Sequence, residues 1–128
     1  MKKKIINTKN APTPIGPYNQ AIKIKNMLFI SGQVAIDPNN KNELVKSSIS
    51  DETHQVMKNL SAILEQAGMD FTNVVKTTIF LSDMSYFKEV NTIYGSYLNE
   101  GQEPARETVA VKTLPKEVNI EISMIAAD

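Results

Sequence analysis

The spacing of apolar and polar positions changes several times along the chain, and each change predicts an element. Residues 21–24 alternate about Lys23, and residues 27–34 carry Leu28, Phe29 and Ile30, so both stretches read as strands. Lys25-Asn26 between them reads as a hairpin turn, with Asn tolerating positive φ. Over residues 50–67 the period lengthens. Met57, Leu60, Leu64 and Ala67 recur at three- and four-residue steps, and Val56 and Ile63 widen the stripe, which predicts a helix. Ser50 or Ser48 suits its N-cap, Asp51 and Glu52 favour the positive end of its dipole, and Gly68 stands where a left-handed residue ends it. Residues 74–81 (VVKTTIFL) return to a strand. Val75, Ile79 and Leu81 fall on one face and Val74 and Phe80 on the other, which predicts a central strand covered on both sides. A second helix is expected over residues 85–98, with Phe87, Val90, Tyr94 and Tyr97 as its stripe. Residues 107–112 and 118–124 then read as a hairpin about Leu114-Pro115-Lys116.

The order β, β, α, β, α, β, β, with an extra N-terminal strand at residues 3–6, lays two helices on one face of a mixed sheet. That is an α+β domain, one unit over residues 1–128. Residues 11–17, dense in Pro and Gly, predict an ordered loop, and residues 37–42 (DPNNKN) a turn-rich one.

Composition narrows the chemistry. The chain has no cysteine, which excludes disulfides, thiolate catalysis and Cys-ligated metals, and a lone histidine, His54, leaves no multi-His metal site within one chain. The 14 basic and 14 acidic residues cancel, against the clustered basic field that a nucleic-acid partner requires. Lys2, Lys3 and Lys4 read as a solvated N-terminus, because Ile5-Ile6 gives way at once to polar residues 7–10 and no signal-peptide core follows. No apolar run approaches the ~20 residues that span a bilayer. The expectation is a soluble cytoplasmic protein with neither a nucleic-acid nor a membrane partner.

The last two strands carry the most chemistry. On the second, Val118, Ile120, Ile122 and Met124 share a face that must look at the helices, while Asn119, Glu121 and Ser123 look away. On the first, Val109 and Val111 are expected on the core face, which sends Arg106 and Thr108 to the side of Glu121. Pattern thus places a guanidinium and a carboxylate together on the sheet face that the helices leave open. A planar guanidinium there suits a carboxylate ligand, held by two parallel hydrogen bonds. The plainer alternative is a surface ion pair on a wet face. Phe80 and Ile125 also point to the open face, which makes oligomerisation through it plausible. Tyr18, after Gly16-Pro17, is a candidate for the site or a loop anchor packed on the core. Gly32, between Ser31 and Gln33, marks a bulge or a close backbone approach, for example of a ligand to its N–H. Asn91 sits beside the apolar stripe of the second helix and either lines a site or bonds locally. His54 reads as a solvated surface residue.

The same residues carry a family resemblance. Residues 16–21 (GPYNQA), 29–33 (FISGQ), 74–84 (VVKTTIFLSDM), 87–94 (FKEVNTIY), 104–106 (PAR) and 114–126 (LPKEVNIEISMIA) resemble the signatures of the RidA/YjgF family, in that family's order and spacing. The resemblance implies a chorismate-mutase-like fold with a six-stranded sheet. It also implies a homotrimer around a central β-barrel, with active sites between subunits. The implied activity is hydrolysis of 2-aminoacrylate, 2-aminocrotonate or their imine tautomers to 2-oxo acids and ammonia. By the same resemblance Arg106 holds the substrate carboxylate, and Glu121 orients water and shuttles protons. Tyr18, Ser31, Gly32, Asn91 and Thr108 position the ligand, Thr108 through its backbone, and neither metal nor organic cofactor is needed. Non-catalytic binding, regulatory or chaperone-like roles on the same fold remain the alternative. Glu107-Thr108 departs from a Ser-Cys pair common in the family, so no role resting on a thiol transfers. Alternation should aim Glu107 away from the cleft.

Overall fold

The computed structural model describes residues 2–128. In chain order the elements are β1 (Lys4–Ile6), β2 (Ala21–Ile24), β3 (Met27–Gln33), the short pair β4 (Ile36–Asp37) and β5 (Glu43–Leu44), helix α1 (Ile49–Gln66), β6 (Val74–Leu81), helix α2 (Phe87–Ser96), β7 (Ala105–Ala110) and β8 (Ile120–Ala127). Six strands make one mixed sheet in the order β1-β2-β3-β8-β6-β7, antiparallel except for the parallel β6–β7 pair, and β4–β5 stand apart.

The expected hairpin between the last two strands does not form. β6 lies between them: it pairs with β7 through Thr77–Arg106 and Ile79–Thr108, and with β8 through Ile79–Ile122 and Phe80–Glu121. The connection from β7 to β8 holds a 3-10 turn at Pro115–Glu117 and is long enough to pass the end of β6. Val111 N–H bonds Leu81 O at 2.9 Å and Ser82 N–H bonds Asn119 O at 2.9 Å, so both flanks of the connection are stitched to β6.

The core lies between one sheet face and the helices. Leu28, Ile79, Leu81, Ile120 and Ile122 from the sheet meet Val56, Met57, Leu60, Ile63 and Leu64 from α1, all buried. Each such side chain contributes on the order of 1.5–3 kcal/mol over leaving it exposed. Ser48 is the N-cap of α1, its Oγ accepting from Asp51 N–H at 3.0 Å, and Gly68 follows the helix at φ 74°. α2 begins at Phe87, the first residue of its stripe, rather than at residue 85, because Asp83 first caps a 3-10 turn over Met84–Tyr86. Two local expectations are corrected. In the β2–β3 turn the positive φ, 52°, falls on Lys25 rather than Asn26. In β6 a register shift between Val74 and Lys76 inserts Val75 as an extra residue, so Val74 joins the core face and Val75 turns out to solvent. His54 is also not simply solvated: its Nδ1 lies 2.8 Å from Tyr97 Oη, tying α1 to the end of α2.

The opposite sheet face has no helix over it. Phe29 and Val109 are each 45% exposed there; Phe29 pairs with half-buried Ile125 and Val109 with half-buried Phe80.

Candidate active site

Gln20 builds one wall of the larger cleft. Fully buried, it shares its Nε2 donors among the carbonyls of Thr8 (3.0 Å), Ala11 (3.3 Å) and Pro12 (2.9 Å), and its Oε1 accepts from Thr8 N–H at 2.8 Å. A proline-rich loop with few backbone donors is thereby fixed from inside. It brings Pro12, Ile15 and Tyr18 to face Gly32, Lys116 and Glu121 across a cleft of about 370 Å³. Tyr18 is no core anchor. It is 46% exposed, its ring packs on Gly16, and its Oη accepts from Ile15 N–H at 3.2 Å.

β3 carries a bulge where Ser31 and Gly32 stand. Ile30 pairs with Met124 but Gln33 with Ile122, so three steps on β3 meet two on β8. Ser31 fastens the bulge to the lead-in of β2, its N–H bonding Gln20 O at 2.9 Å and its Oγ donating to Asn19 O at 2.6 Å. Gly32 is required by close approach. A Cβ there would lie 2.7 Å from Glu121 Cδ and 2.8 Å from Oε1. The Glu121 carboxyl thus crosses the bulge and faces the cleft. Burial raises its pKa above the ordinary value of a glutamate, and among the described residues no ion pair or hydrogen bond opposes the shift.

A second group assembles on the helix side of the edge strand β7. Arg106 donates from Nη1 to Asn91 Oδ1 at 2.7 Å, and its guanidinium lies 5.3 Å from the Tyr94 ring centre and 5.6 Å from that of Phe87. Tyr94 is itself fixed by donating to Thr77 Oγ1 at 2.9 Å. The rings and Asn91 hold the guanidinium plane while no carboxylate bridges it among the described residues. Thr108, two residues on and on the same face, has a buried hydroxyl without a hydrogen-bond partner. Glu107 points the other way, bridged to Lys76 at 3.1 Å, and that contact lowers its carboxyl pKa.

One expectation from pattern is overturned. Arg106 and Glu121 do not share a face. Arg106 pairs with Thr77 and Thr108 with Ile79, both on the helix side, whereas Glu121 pairs with Phe80 on the open side. Val109 correspondingly looks out rather than into the core. So Tyr18, Ser31, Gly32 and Glu121 form one group, Asn91, Arg106 and Thr108 another, and the sheet separates them. Pattern reading also missed Gln20 as the internal brace, though it lies inside the GPYNQA segment. It missed Pro115 and Lys116 as cleft walls, because they were spent on a hairpin turn.

No helix among the described residues is long and apolar enough to cross a membrane. Comparison with known proteins adds four findings. A family profile described as Endoribonuclease L-PSP matches residues 8–128. A RutC family protein of Pyrococcus horikoshii is 52% identical over 97% of each chain, and a 2-iminobutanoate/2-iminopropanoate deaminase of Mus musculus is 46% identical over 97% of this chain and 90% of its own. The crystal structure of a Rid-family protein from Yersinia pestis superposes with a TM-score of 0.95 at 45% identity, covering 99% of this chain and 100% of that one.

Proposed function

The chain belongs to the YjgF/RidA family, and from that premise we propose that it hydrolyses 2-imino acids and their enamine tautomers, such as 2-aminoacrylate and 2-aminocrotonate, to 2-oxo acids and ammonia. The name of the mouse relative supports this reading. The observation that carries it is the Glu121 carboxyl, raised by burial and held without a partner against Gly32 in the cleft. A carboxyl pushed toward neutrality suits proton exchange near physiological pH.

Arg106 and Glu121 lie on opposite faces of one sheet, so one copy cannot apply both to one small substrate. The active site is therefore built between copies, Arg106 of one reaching the Glu121 cleft of the next. The uncovered apolar face of the sheet supplies the surface for that assembly. We assign a homotrimer in which these faces line a central barrel, working in the cytoplasm.

The steps balance without any cofactor. Arg106 binds the substrate carboxylate through paired N–H donors, with Asn91 fixing its plane. Gly32, Ser31, Tyr18 and the Thr108 backbone confine the substrate. An enamine takes a proton from solvent at C3, or an imine takes one at nitrogen, to become the iminium. Glu121 then removes a proton from water as its oxygen bonds to C2, and the C=N electron pair moves to nitrogen and cancels its charge. The resulting carbinolamine collapses: Glu121 returns its proton to the amine, ammonia leaves with the C–N electron pair, and the hydroxyl gives its proton to solvent as its electrons form the C2 carbonyl. An imine carbon is already electrophilic, so orientation and one acid/base group suffice.

The test is a coupled assay in which a serine or threonine dehydratase generates the enamine and its disappearance is followed. Acceleration by the wild type that is lost in Arg106→Ala supports the reading. An intact oligomer that binds 2-oxo acids but accelerates nothing would replace it with a binding module.

A further inference from the structure

Glu52 is a buried carboxyl outside the machinery described so far. It lies in the first turns of α1 and is 4% exposed. Its Oε1 accepts from Asn119 Nδ2 at 3.1 Å, and its Oε2 is buried without a partner. An unpaired polar atom in that position costs about 1–3 kcal/mol, so packing alone gives no reason for a carboxyl there.

What Glu52 holds gives the reason. Asn119 stands two residues before Glu121. Its Oδ1 accepts from Ser82 Oγ at 2.8 Å and its carbonyl from Ser82 N–H at 2.9 Å. The amide thus has one orientation, clamped between the end of β6 and α1. Three and two residues before it, Lys116 and Glu117 both take left-handed backbone, at φ 57° and 54°. Each such non-glycine residue stores about 1 kcal/mol or more and persists only where its surroundings enforce it. Lys116 lines the catalytic cleft on one side. On the other it lines a polar pocket of about 220 Å³ shared with Lys46, Glu52, Glu117 and Asn119. One strained loop is therefore the wall between the cleft and the Glu52 pocket.

We propose that Glu52 is a positioning residue for Glu121: through Asn119 it fixes the start of β8 and the 114–118 loop, and so sets where the Glu121 carboxyl stands in the cleft. The inference rests on the deaminase reading of Glu121. Burial raises the Glu52 carboxyl, and the only charged neighbours lining its pocket among the described residues are Lys46, Lys116 and Glu117. A neutral amide that keeps the acceptor for Asn119 therefore fits the same place.

The experiment compares Glu52→Leu, Glu52→Gln, Asn119→Ala and the double variant Glu52→Leu/Asn119→Ala in the assembled protein. Glu52→Leu and Asn119→Ala are each expected to lower kcat about tenfold with KM within about twofold, since the Arg106 group is untouched. The double variant should lose no more than either single one, and Glu52→Gln should stay within about twofold of wild type. Amide hydrogen exchange over residues 114–121 should quicken in Glu52→Leu and not in Glu52→Gln. Unchanged kcat in Glu52→Leu, or an equal loss in Glu52→Gln, overturns the proposal. If the wild type turns over no enamine, the deaminase reading fails, and exchange alone decides: unaltered exchange over 114–121 in Glu52→Leu then overturns the positioning role.

Discussion

Adding one methyl group at Gly32 should separate activity from stability. The new Cβ would stand 2.7 Å from Glu121 Cδ, 2.8 Å from Oε1 and 3.0 Å from Cγ. Ordinary van der Waals contact begins near 3.4 Å, so the carboxyl must retreat by about 0.7 Å. Gly32 itself is solvent-exposed, and what it meets is the far end of a flexible side chain, so the backbone need not move. Turning Glu121 away from its rotamer costs about 0.5–1.5 kcal/mol. A loss near 1 kcal/mol lowers the melting temperature of a domain this size by roughly 4 °C. The catalytic cost is larger, because a displacement approaching 1 Å at a reacting group costs about 10²-fold, near 2.7 kcal/mol of barrier. Gly32→Ala should therefore melt close to wild type while kcat in the dehydratase-coupled assay falls about 10²-fold. KM should change much less than kcat, since the arginine that binds the substrate carboxylate comes from the neighbouring copy. A kcat within about threefold of wild type would refute the geometry assigned to Glu121, as the stated displacement could not then matter.

Other perturbations test the remaining parts. Arg106→Lys keeps the charge but loses the planar fork, and KM should rise roughly 10- to 100-fold with kcat much less affected. Asn91→Ala removes the 2.7 Å bond that orients the guanidinium, worth about 1 kcal/mol, so KM should rise about fivefold. Glu121→Gln should lower kcat by about 10²- to 10⁴-fold. It should also stabilise the fold in a pH-dependent way. Burial raises the folded pKa of Glu121, so the folded chain holds that proton more tightly than the unfolded one, and ionisation above the raised value costs stability. The variant should then melt higher than wild type at about pH 8, and its lead should vanish toward about pH 4; a constant lead would contradict the assignment.

The helices, β2, β3 and β6 were legible because each has its own apolar pattern, and the residues proposed for the site stood out because they lie within short signatures. What pattern reading lost was pairing. Alternation says which residues of β7 share a face, but not which neighbour the strand takes or which face is the core. Val109 and Val111 look like core positions, yet Val109 lies on the open face, outside the interior of this chain. That misassignment turned Arg106 with them and put it beside Glu121. Only the parallel register of β7 on β6 reveals the separation. Glu52 left no sequence signal beyond an acidic residue near a helix start, which the dipole explains equally well.

The central claim is that each complete site joins Arg106 of one copy to Glu121 of another. Co-refolding equal amounts of two inactive variants, Arg106→Ala and Glu121→Gln, tests it directly. In randomly mixed closed rings about a quarter of the interfaces pair an intact arginine with an intact glutamate, so about a quarter of wild-type activity should return. Oligomers proven mixed that recover none would contradict the account, because both residues would then have to act from the same chain.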